Sequence, residues 1–135
     1  MPRCTSINNN QRFETFEIEN KIQEFEKMLL TQKIDFKSKD VVLVTPRLDN
    51  HRRMIYKEDG VLFDRQNRDA HMLANHMVYN LNANSVTLPI DCTRGRARKD
   101  MDYLILLHEF VDDEKNHILT KLTQTNENLT YFEIY

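Results

Sequence analysis

Only two glycines, Gly60 and Gly95, occur in the 135 residues. This scarcity excludes whole classes of fold and chemistry. Loops that cradle phosphates or expose a nucleophile need glycine for tight turns and close backbone approach. The chain holds no G-x-G-x-x-G, no G-x-x-x-x-G-K-[ST] and no G-x-S-x-G. Dinucleotide-binding, P-loop and hydrolase-elbow sites of the familiar kind are therefore absent from the sequence. Two cysteines, Cys4 and Cys92, are too few for a Cys-rich zinc site.

Helical stripes and short β-branched runs share the rest of the chain. Residues 13–30 predict a helix, with Ile18, Ile22, Phe25 and Leu29 on one stripe. Val41 to Thr45 predicts a buried strand ended by Pro46. Met54-Ile55-Tyr56 and Val61-Leu62-Phe63 flank Asp59-Gly60, a pair that favours turns, so residues 53–64 predict a hairpin. A second helix is expected over 67–82 from Ala70, Leu73, Ala74, Met77, Val78 and Leu81. Ser85 to Ile90 and Leu129 to Tyr135 predict strands. Residues 101–111 fit a buried strand or a helix whose face continues to Leu122; Asp100 and Asp102 favour the helix. The expected fold is α+β, a small single domain with a mainly antiparallel sheet and about three helices packed on one face. The domain is expected over 13–135, after a disordered start at 1–12 that offers little but Ile7 to a core.

The charges are segregated. Eight of the ten arginines lie between Arg47 and Arg98, and of the nine lysines only Lys57 and Lys99 fall within residues 46–99. Residues 46–99 carry ten basic and six acidic groups, while 100–135 carry two basic and eight acidic. Arginine presents a flat fork of donors that matches phosphate and carboxylate. The expected nucleic-acid contacts are Arg47, Arg52 and Arg53; Arg65 and Arg68; and Arg94, Arg96, Arg98 and Lys99, with Tyr56 as a base-stacking residue. Residues 94, 96 and 98 alternate, so an extended backbone would send all three side chains one way. The same arginines could instead neutralise neighbouring Asp49, Asp64 and Asp69, or meet an acidic protein surface. The acidic segment around Asp112-Asp113-Glu114 is one such surface, and would make a homodimer through the basic middle. The isoelectric point of 6.2 is lower than nucleic-acid binders usually show.

For chemistry the chain offers less. His108 and Asp112, and Glu114 and His117, have spacings that bring ligands together on a helix, but one Glu-x-x-His is half of a di-iron set. Asp59, Asp64, Asp69 and Asp91 lie beside the arginines, as a metal-dependent nuclease would need. No catalytic residue, metal ligand or cofactor is assigned from the sequence. The expectation is a nucleic-acid-binding accessory or regulatory protein, RNA or single strands preferred. It would be a binding module more than an enzyme. With no apolar run of membrane length and no hydrophobic leader, a cytoplasmic or nuclear setting without membrane contact is expected. The Asn-rich, Gly-poor composition suggests an AT-rich or viral genome.

Overall fold

The computed structural model describes residues 3–7, 17–46, 57–88, 101–123 and 129–135, with the backbone alone at residues 3, 5–7 and 57–67. Five strands and three helices follow one another: β1 (Arg3–Ile7), α1 (Ile18–Gln32), β2 (Asp40–Val44), α2 (Lys57–Tyr79), β3 (Ser85–Thr87), β4 (Tyr103–Leu107), α3 (Asp112–Thr123) and β5 (Thr130–Ile134). They form one sheet in the order β1-β5-β4-β2-β3, and every pairing is parallel.

The expectation of a mainly antiparallel α+β sheet is thus overturned: the fold is α/β. The physical reason lies in the apolar runs. Val41 to Val44 and Leu104 to Leu107 are buried at every residue. Such runs suit strands covered on both faces, the usual condition of parallel sheets. Val41, Leu43, Ile105, Leu107, Phe132 and Ile134 face α1 and α2. Val42, Val44, Leu104 and Leu106 face Ile118 and Leu122 of α3. The helices therefore lie on two faces, not one.

Three segments adopt a local structure other than the one their sequence suggests. Residues 57–64, read as the core of a hairpin, belong to α2, and Gly60 lies within its helical backbone; residues 53–56 lie outside the described residues. Residues 103–107, read as helical, form β4. Residues 3–7, read as part of a disordered start, pair with β5 from Arg3 opposite Thr130 to Ile7 opposite Ile134. The strands expected near 41–45 and 129–135 are present as β2 and β5.

Helix α1 buries Ile18, Lys21, Phe25 and Leu29 on one stripe. It stops at Lys33, whose left-handed backbone (φ 57°) turns its N–H back to the carbonyls of Leu29 and Leu30. Between helix and sheet, Phe25 meets Phe132 edge to face at 5.5 Å, and Phe36 stacks on Tyr103 at 4.7 Å. A 2.6 Å contact between His76 Nε2 and Glu26 Oε1 ties α2 to α1. No helix among the described residues is long and apolar enough to cross a membrane.

Candidate functional site

Parallel strands give the sheet two unlike edges. At the edge where strands begin, the Asp40 carboxylate accepts hydrogen bonds from Asn84 Nδ2 (2.8 Å) and Ser85 Oγ (2.7 Å). Its backbone is clasped by Asp102: the Asp40 N–H donates to Asp102 Oδ2, and the Asp102 N–H to the Asp40 carbonyl. This edge is stitched shut by short polar links.

The edge where strands end is built differently. After β2 the chain passes through α2 to β3 on one side, and after β4 it passes through α3 to β5 on the other. The strand order therefore reverses between β2 and β4, with α2 and α3 on opposite faces. In open α/β sheets the crevice at such a reversal, beyond the carboxyl ends of the strands, is where ligands sit.

Several charged side chains mark this edge. His108 directly follows β4 and is buried at 3% exposure, with φ 77°. A left-handed backbone is uncommon outside glycine and is a form of local strain. Its N–H donates to the Ile134 carbonyl at 2.7 Å, which locks the end of β4 to the end of β5. Asp69, on α2 and 1% exposed, places Oδ2 at 3.1 Å from His108 Nε2. That approach lacks the angles of a hydrogen bond, and among the described residues neither Asp69 oxygen receives one. The guanidinium of Arg68, two-thirds exposed, stands 3.7 Å from Asp69 Oδ1. Lys21, in the first turn of α1, is buried and donates to the Tyr135 carbonyl at 2.9 Å, just past β5. Burial holds its ammonium below the ordinary lysine pKa, and Glu24 at 3.8 Å partly restores it.

A second charged group lies on the α3 face. Glu133 Oε1 accepts from Lys115 Nζ at 2.8 Å, and Oε2 accepts from the Cys4 thiol at 3.4 Å. The bond to Glu133 raises the Lys115 pKa. Burial, with Cys4 as a neighbour, pushes the Tyr131 phenol well above its usual range.

Of the ten residues singled out from the sequence, Arg68 alone has a described side chain, and it is exposed on α2. Arg65 lies on the backbone of α2. Arg47, Arg52, Arg53, Tyr56, Arg94, Arg96, Arg98 and Lys99 lie outside the described residues, as do the carboxylates of Asp59, Asp64 and Asp91. His108 precedes α3 and is buried, whereas Asp112 is exposed, so their spacing along a supposed helix brings nothing together. Among the described residues no three His, Cys, Asp or Glu side chains form a metal-holding group. The Asp69–His108 pair escaped sequence reading because only the fold makes α2 and the end of β4 neighbours. Comparison with protein-family models, curated proteins and solved structures finds no match, so the site rests on its own residues.

Proposed function

We propose that the chain binds nucleic acid, RNA or single strands in preference, at the carboxyl edge of its sheet, as an accessory or regulatory protein. The observation that carries this reading is the direction of two strands. β2 and β3 are parallel, so the segments that follow them leave the sheet from the same edge. The segment after β2 contains Arg47, Arg52 and Arg53, and the one after β3 contains Arg94, Arg96, Arg98 and Lys99. Arg68 is exposed on the helix between these strands. Segregation of arginine in the sequence thereby becomes attachment of two arginine-rich segments to the edge on which α/β proteins bind ligands. Guanidinium groups suit phosphate there, and each phosphate they neutralise releases counterions. A cytoplasmic or nuclear setting belongs to the same proposal.

The test is a salt-titrated binding assay with a short single-stranded RNA, comparing the wild type with the triple variant Arg94→Ala, Arg96→Ala, Arg98→Ala. The variant binds more weakly, and its plot of log affinity against log salt is shallower by about 0.7 for each phosphate that it no longer neutralises. Absence of wild-type binding at low salt refutes the proposal. An unchanged slope with weakened self-association would point instead to an acidic protein surface, such as the exposed Asp112 and Asp113 at the start of α3.

A further inference from the structure

A cavity of about 670 Å³ opens at the carboxyl ends of α1 and α2. The chain that follows these two helices leads into the starts of β2 and β3, so the cavity lies by the edge where strands begin. It shares no residue with the arginine-rich segments. Its size falls within the range of small-molecule clefts, about 300–1,000 Å³. Leu29, Leu30, Ile34, Phe36 and Leu81 make its apolar wall. Leu30, in the last turns of α1, is 80% exposed, an aliphatic side chain left standing in water. The core gains nothing from it, whereas an apolar ligand in the cavity would cover it.

One wall carries a fixed charge. Glu26 lines the cavity, and its Oε1 lies 2.6 Å from His76 Nε2. Asn80, also in the lining, sets its amide nitrogen 2.8 Å from His76 Nδ1. An amide nitrogen can only donate, so Nδ1 accepts and the ring proton sits on Nε2, directed at Glu26. The imidazole is therefore neutral: it holds the carboxylate in place without cancelling its charge. Glu26 is 39% exposed, so a ligand can reach its other oxygen. Both helices also turn their negative ends toward the cavity. α1 has no basic residue in its last turn, and α2 has only the neutral His76. Lys33, Asp35 and Lys37 complete the charged lining, but their side chains are exposed and screened by solvent. The charge that is held in position is negative.

We propose that this cavity binds a small apolar amine, with its carbon body on Leu30, Ile34 and Leu81 and its ammonium on Glu26 Oε2. A cation complements both the carboxylate and the two helix ends. The apolar wall takes a chain or ring, and an anionic head would meet the same negative groups as repulsion.

Hexylamine, hexanol and hexanoate are titrated separately into the full chain, followed by the backbone amide NMR signals of Leu30, Ile34 and Leu81. Hexylamine shifts these signals saturably. It binds about tenfold or more tighter than hexanol, as a hydrogen bond to a charged group provides. Hexanoate binds more weakly than either. Glu26→Gln, nearly the same in shape, brings hexylamine down to the hexanol level. Leu30→Ser, at a side chain the fold leaves exposed, weakens amine and alcohol alike. His71→Ala, exposed on α2 and outside the lining, changes none of the three. Absence of hexylamine shifts at these residues, binding of hexanol or hexanoate as tight as that of hexylamine, or unchanged hexylamine binding by Glu26→Gln overturns the site. Should Glu26→Gln fail to fold by circular dichroism, the wild-type order decides: amine ahead of alcohol and carboxylate supports the site, and any other order overturns it.

Discussion

Two lysines respond to their surroundings in opposite senses, and their pH behaviour follows. Lys21 is buried, and its folded pKa is lowered. Between that value and the ordinary 10.5, the unfolded chain binds the proton that the folded chain has released. Stability therefore rises with pH through this window. Lys115 is raised by Glu133, so its contribution is complete below 10.5 and is lost as pH climbs through the higher folded value. Urea unfolding at a series of pH values checks both. Lys21→Met removes the alkaline gain, whereas Lys115→Met costs about 1 kcal/mol near neutrality, as befits a partly exposed pair, and removes the loss at high pH. Neither effect is legible from sequence. Lys21 occupies a helical position that the apolar stripe assigns to neighbouring Ile22, and Lys115 meets its carboxylate only through the pairing of helix and sheet.

Among elements, the aromatic core between α1 and the sheet shows what periodicity conveys. Phe132 is fully buried and packs on Phe25, Phe36 and Tyr103. Phe132→Ala opens a cavity between α1 and β5 and costs about 3–5 kcal/mol, read from the urea midpoint. β5 and β2 were legible because aromatic and β-branched residues fill them without a rival period. β4 was not: Leu104 to Leu107 is continuous, so a helical face can be drawn through it as easily as a strand. Burial from both sides, by α1 and α2 and by α3, decides for the strand, and that information is tertiary. α2 failed at its start for a different reason. Asp59-Gly60 is a permissive turn pair, and glycine costs a helix about 1 kcal/mol. The buried stripe of Ala70, Leu73 and Met77 continues the same helix, and cooperative propagation carries it across the glycine.

At the scale of the molecule, the two edges of the sheet are built differently. Asp40 clasps Asn84 and Ser85 at the amino edge, far along the strands from the arginine-rich attachments. Asp40→Ala loses about 1 kcal/mol of stability, the net worth of such bonds, while RNA affinity at fixed salt stays at the wild-type value. A loss of affinity without loss of fold would place the ligand at the wrong edge. Charge segregation was readable in the sequence, yet the common edge at which β2 and β3 end was not, because it depends on strands running parallel.

The pairing of β1 with β5 has a mechanical consequence. Arg3 begins one strand and Ile134 ends the other, and the two run side by side in the same direction. Tension applied at residues 3 and 135 pulls these neighbours along their length in opposite senses. Their hydrogen bonds then bear the load together in shear and do not open one by one like a zipper. A sheet that is modest in size is thereby stiff along the line of β1 and β5, and yields first wherever force enters by another route.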